Sequence, residues 1–292
     1  MREMLATALR GGYAVGYFEA WDQYSIEAVL EAAEESGSPV ILGFGGMMMN
    51  QEWFGAGGLC ALGAMGRAIA EGSHVPVSYL LNEVEAFEHI ERGLTSGFNA
   101  VMLDTSHLPL ERNIDQTRRV VEAARQFGAD VEGECDPLPD ASGATGAHAP
   151  PRLTEPAEAA RYVAETGVCA LSISVGNEHI RTTGESGIDL ERLVCIREAV
   201  AVPLVIHGGT GFPDSAVQDA IRLGVAKFNV GTVLKRLFHE GVREGVLSLP
   251  EKIDFQEVVG SRKHGDVIRH AMERVGSEVA RRMAVYGSAK RS

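Results

Sequence analysis

The chain has 292 residues, 45% of them apolar, and a formal net charge of -13 at pH 7, a length that fills one large α/β domain or two average ones. The acidic balance excludes nucleic acid and anionic membrane surfaces as expected partners, since both are drawn by a positive field, while leaving room for a local basic pocket. Cys60, Cys135, Cys169 and Cys195 lack CxxC spacing, and no basic leader or membrane-length apolar run is present, so free thiols in a reducing, cytoplasmic setting are expected.

Along the chain, short β-prone runs alternate with helical patterns. The strand runs are "YAVGYF" (13–18), "SPVILGF" (38–44), "VPVSYLL" (75–81), "NAVMLD" (99–104), "ADVEGE" (129–134), "CALSISV" (169–175), "VPLVIHG" (202–208) and "VAKFNVG" (225–231). Between them, stretches such as "SIEAVLEAAEESG", "ERNIDQTRRVVEAARQFG" and "DSAVQDAIRLG" repeat their apolar residues at helical spacing and mostly end near glycine. Strands apolar on both faces and separated by helices imply a parallel sheet covered by helices. Eight such units predict a single (β/α)8 TIM barrel over residues 1–292. An open doubly wound sheet is the runner-up, but "GYFEAWD" lacks the glycine fingerprint such folds carry after the first strand. Residues 232–292 exceed one closing helix and predict a C-terminal helical extension or a subunit contact. The weakly patterned "CDPLPDASGATGAHAPPRL" (135–153) predicts a loop over the barrel mouth.

Closing the barrel brings distant strand ends together. Glu19 and Asp22, Asn82 and Glu83, Asp104 and Ser106, Glu132 and Glu134, His179, His207, Asn229 and Thr232 then converge. Glu83, His179 and His207 fit a two-histidine, one-carboxylate metal site, with Glu134 as a fourth or alternate ligand; such donors suit zinc, manganese, iron or cobalt. The blander reading has His207 bonding a loop carbonyl and His179 capping a helix. In "HGGTG", Gly208 and Gly209 allow close backbone approach, and their N–H groups with the Thr210 hydroxyl suit phosphate oxygens. In "NVGT", Asn229, Gly231 and Thr232 precede a helix N-terminus, which favours anions. Both segments follow the last two strands, where barrels often bind phosphate.

Ordered blocks over nearly the whole chain, "VMLDTSHLPLERNIDQTRRVVEAARQFGADVEGE", "SISVGNEH", "LVIHGGTG" and "AKFNVGT", resemble the class II metal-dependent ketose-bisphosphate aldolases, which include fructose- and tagatose-bisphosphate aldolases. The resemblance implies a homodimeric or homotetrameric barrel. In it a divalent metal, zinc foremost with Mn2+, Fe2+ or Co2+ as alternatives, polarises a phosphorylated ketose and stabilises an enediolate. His179 and His207 match metal-ligand positions and Glu134 an acidic position of the metal region. Gly208, Thr210, Asn229 and Thr232 match phosphate or substrate contacts, and Asp104 and Ser106 match polar residues near the mouth.

Departures from the family cluster at the chemistry. Members usually end the third strand in His-Leu-Asp-His, where the aspartate moves a proton and the last histidine ligates metal; here Leu80, Leu81, Asn82 and Glu83 stand there. Residues 135–153 lack the glutamate that members use for proton abstraction. Glu19 replaces an asparagine, Ile180 a glycine, Gly231 an acidic residue of some members, and Gly45 a phosphate-binding serine. These changes point away from ordinary fructose-bisphosphate aldolase activity. The reading is a metal-dependent aldolase-like lyase acting on a phosphorylated ketose or related polyhydroxy compound, with Asn82 orienting substrate or water and Glu19, Asp140 or His148 assisting proton transfer. The alternatives are a metal-dependent phosphosugar isomerase or epimerase and a non-catalytic phosphosugar-binding homologue.

Overall fold

The structure, a computed structural model, describes residues 1–141, 152–181 and 183–292. Helix α1 (Arg2–Gly11) precedes β1 (Val15–Glu19). There follow α2 (Gln23–Ser36), β2 (Val40–Gly45), α3 (Gln51–Trp53), α4 (Leu59–Glu71), β3 (Val77–Val84), α5 (Phe87–Ser96), β4 (Ala100–Leu103), α6 (Leu110–Arg125) and β5 (Asp130–Glu134). Then come α7 (Pro156–Thr166), β6 (Ala170–Ser172), α8 (Leu190–Ala199), β7 (Leu204–Ile206), α9 (Asp214–Arg222), β8 (Val225–Val230), α10 (Thr232–Leu247), α11 (Phe255–Val258) and α12 (Val267–Tyr286).

All neighbouring strands pair in parallel, and β1 returns to β8 through Val15↔Lys227 to Phe18↔Val230, closing the expected eight-stranded barrel. Every residue of β2 and β8 is buried, as strands covered by helices outside and packed side chains inside must be. Local signals set the helix ends. Asp22 caps α2 by accepting the Ser25 N–H, while the Ser25 hydroxyl accepts the Asp22 N–H; Gly37 closes the other end in the left-handed region. Asp22 therefore belongs to a helix cap.

Three strands differ in extent from the periodicity. The third strand runs on through Val84, and the sixth and seventh pair only over Ala170–Ser172 and Leu204–Ile206. Helix α1 lies outside the predicted series: its Leu5 and Ala8 pack with Val15, Ile41, Leu80 and Val205, closing the barrel at its N-terminal end. The C-terminal extension folds back on the barrel. Helix α12 packs against α10 and α2, buries Met272, Val275, Val279 and Met283, and stacks Tyr286 on Phe228 with ring centroids 4.7 Å apart. Among the described residues no helix is long and apolar enough to cross a membrane.

Candidate active site

Asn82 and Glu83 sit inside β3, and neither caps a helix. The β3–β4 register shifts between Leu81 and Val84, and Glu83 has φ 51, so a bulge turns its side chain into the barrel mouth. A non-glycine residue held in this left-handed conformation costs roughly 1–2 kcal/mol, a strain the fold accepts where it re-aims the carboxylate. Asn82 steadies it: its amide Nδ2 donates to Glu83 Oε2 at 2.8 Å.

His207 follows directly on β7 and is buried. Its Nδ1 lies 3.0 Å from Glu83 Oε1 and its Nε2 2.8 Å from Glu132 Oε1. His179 sits on the loop after β6, where its backbone N–H donates to the Pro139 carbonyl and its carbonyl accepts the Ala141 N–H, each at 2.9 Å. The two imidazoles stack with centroids 5.6 Å apart, and His179 Nε2 stands 3.6 Å from the same Glu83 oxygen. Sequence positions 83, 179 and 207 thus place one donor atom each within 4.8 Å of one another. His207 bonds carboxylates and His179 caps no helix, so the blander histidine readings do not hold.

The donor set fits a divalent cation. His179 Nε2 is buried without a hydrogen-bond partner among the described residues. Burial would raise Glu83, but His179, His207 and Lys227 outweigh it and bring its pKa down to about 2, so it is a carboxylate at neutral pH. Burial disfavours charge on His207, yet Glu83, Glu132 and Glu134 outweigh it and push its pKa up to about 10. Burial lowers His179, which leaves the neutral imidazole that ligates metal. Glu83, His179 and His207 are a metal-coordinating triad. Glu134 accepts from Ser172 at 2.8 Å and stands 3.9 Å from His207 Nδ1, beside the triad; burial raises its pKa to about 8.

Beneath His207 lies an ion pair the sequence reading missed. Glu132 meets the fully buried Lys227 at 2.8 Å, and Lys227 donates to Asn229 Oδ1 at 2.6 Å. This is the carboxylate–histidine arrangement that fixes a metal ligand's ring, extended to a compensating cation. A lone lysine inside the apolar run "VAKFNVG" was the available signal, because a strand buried on both faces must pair it.

A cavity opens beside the triad, lined by Glu19, Asn82, Glu83, His179, His207, Gly208, Thr210, Asn229, Gly231 and Thr232, among others. Gly208 has φ 69, and a Cβ there would meet the Glu178 carbonyl at 2.0 Å, so only glycine fits. Gly209 departs from its expected role: its N–H donates to the Asn229 carbonyl at 2.8 Å and ties β7 to β8, which leaves Gly208 and Thr210 to face the cavity. Asp104 accepts from the Ser106 N–H and hydroxyl in a local turn, and its charge is felt by Glu134 and His179. Glu19 lines the cavity and pairs with Lys235 at 2.6 Å. Asp140 bridges the His179 backbone, and His148 lies outside the described residues.

The family model described as fructose-bisphosphate aldolase class-II matches residues 1–291. A fructose-bisphosphate aldolase of Geobacillus stearothermophilus is 35% identical over 266 residues, covering 89% of this chain and 90% of that one. The crystal structure of the YdjI aldolase from Escherichia coli K12 superposes with TM-score 0.79 at 28% identity, over 99% of this chain and 96% of that one. The fructose-bisphosphate aldolase of Campylobacter jejuni, at 20% identity, shares the fold with TM-score 0.79 over 99% of this chain and 94% of that one.

Proposed function

The chain belongs to the class II fructose-bisphosphate aldolase family and is a metal-dependent aldolase-type lyase; on that premise we propose that it cleaves or forms a carbon–carbon bond in a phosphorylated ketose or a related polyhydroxy compound other than fructose bisphosphate. The observation that carries this reading is the convergence of Glu83, His179 and His207 beside a cavity rimmed by Gly208, Thr210, Asn229 and Thr232. Glu83, His179 and His207 hold the ion, zinc foremost, with Mn2+, Fe2+ and Co2+ suited to the same donors. A divalent ion there supplies Lewis-acid polarisation of the substrate carbonyl.

The remaining roles fall to the chain's own residues. Glu132 and Lys227 fix the ring of His207, and Asn82 fixes Glu83 through its Nδ2, while its buried Oδ1, which has no hydrogen-bond partner among the described residues, is available to a substrate hydroxyl or water. Gly208, Thr210 and Thr232 receive the phosphate, with Gly231 at the N-cap of α10. Asn82 has no acidic proton to transfer, so proton transfer falls to Glu19 or Asp140, with His148 as a further base. A homodimer or homotetramer is the expected assembly, and the cytoplasm the expected compartment.

The test is incubation of the metal-loaded protein with a panel of ketose phosphates and mass spectrometry of the products. The expected products are a three-carbon phosphate and an aldehyde. A product of equal mass would replace this reading by isomerisation, and saturable binding without product would replace it by a phosphosugar-binding role.

A further inference from the structure

Four features of the cavity rim meet at one carboxylate. Glu19, at the end of β1, lies against the backbone of residue 231: a Cβ on Gly231 would sit 2.1 Å from Glu19 Oε2, and one on Gly45 would sit 3.0 Å from Oε1. Gly231 is the N-cap of α10, a helix of 16 residues, so the carboxylate rests at the positive end of a helix dipole. One turn into α10, Lys235 reaches back to Glu19 Oε1 at 2.6 Å. A helix N-terminus and an ammonium group around one anion are how proteins hold phosphate. Here the protein's own carboxylate holds that place.

Two further observations point to a ligand. Asn229 is 7% exposed and Tyr17 3%; both line this cavity, and Asn229 Nδ2 and Tyr17 Oη have no hydrogen-bond partner among the described residues. Among the described residues lining the cavity, Lys235 is the one lysine or arginine. Every anion entering must therefore share it with Glu19.

We propose that Glu19 is a built-in competitor for the anionic group of the substrate, and that Lys235 is the cation for which the two compete. This rests on reading the cavity as a site for a phosphorylated polyol, and it adds a selection rule. A doubly charged phosphate takes Lys235 and the α10 N-terminus from Glu19, whereas a singly charged carboxylate gains no more than Glu19 already has. Gly45 and Gly231 are the space that lets the competitor fold in. Phosphate binding also frees Glu19 from its partner, which makes the same event the one that releases a carboxylate beside the substrate.

The experiment titrates the metal-loaded protein with inorganic phosphate by calorimetry. Removing one like charge from a partly buried anion site makes Glu19→Gln bind phosphate about tenfold more tightly than the parent protein. Lys235→Met weakens phosphate binding by a similar factor. Trp21 gives an independent readout: Lys235 Nζ lies 5.9 Å from its ring centroid, so in a Trp53→Phe background its fluorescence shifts as phosphate draws the lysine away. Glu19→Asn serves as the second variant where Glu19→Gln does not fold. Phosphate affinity unchanged or weakened on neutralising Glu19, or no phosphate binding by any variant, overturns the proposal. Ketose-phosphate cleavage is scored separately: tightened phosphate binding without any cleavage supports the competitor and sinks the lyase reading, and cleavage without tightening does the reverse.

Discussion

The same eight strands enclose two unlike interiors. At their N-terminal ends Leu5 and Ala8 of α1 meet Val15, Ile41, Leu80 and Val205, all buried and apolar, and the barrel is filled there by packing alone. At their C-terminal ends Glu83, Glu134 and His207 stand above the mid-barrel pair of Glu132 and Lys227, with a left-handed backbone at Glu83 and, among the described residues, no hydrogen-bond partner for buried polar atoms of Asn82, His179 and Asn229. One end lowers the free energy of the fold; the other stores groups that a better-packed core would exclude. Stability and ligand affinity should therefore respond to different substitutions.

The largest expected effect lies at the mouth. Glu83→Ala removes the oxygen shared by both histidines and lowers metal affinity at least about 100-fold, measured by competition with a chelator; full metal content with unchanged affinity would refute its place in the triad. At the closed end, Leu5→Ala opens a cavity under the barrel and costs about 2–3 kcal/mol in a denaturant titration, with metal affinity unchanged. Metal affinity that fell together with stability would show the two ends to be one cooperative unit.

The smallest effect concerns how α1 is held to the closed end. Asp130 accepts the Arg2 backbone N–H at 2.6 Å and the Arg2 guanidinium at 3.3 Å. Burial raises its pKa, but the Arg2 N–H, the N-terminal ammonium and the Arg2 side chain outweigh that and hold it below the ordinary carboxylate value. A depressed folded-state pKa means that the contribution is present above the unfolded value and lost as pH falls through the folded one. Asp130→Asn accordingly costs under about 1 kcal/mol at neutral pH, and the difference from the parent protein closes as pH falls below the ordinary carboxylate range. A difference independent of pH would show that the contact acts through shape and not charge.

The closed barrel was legible because alternation of two-faced apolar strands with amphipathic helices has few other solutions. The triad was legible once strand ends could be superposed on one mouth, since Glu83, His179 and His207 each end or follow a strand. Three things were not. Helix α1 falls outside the β/α repeat, so no neighbouring unit marks it. The bulge at Glu83 depends on how β3 registers against β4, a relation between strands that residues 78–87 do not encode by themselves. The pairing of Glu19 with Lys235 joins residues 216 apart and needs two glycines, at 45 and 231, whose meaning is the absence of a side chain.

The hold on His179 has a wider consequence. Its backbone is laddered to residues 139–141, so the tilt of that imidazole and the path of the chain after β5 are one variable. Thermodynamic linkage then runs both ways: whatever factor metal gains from a fixed 139–141 segment, that segment gains from metal. An ion bound at the triad thus acts at a distance on the chain that leads into residues 142–151, and a ligand that grips that chain is felt as a change in how tightly the ion is held.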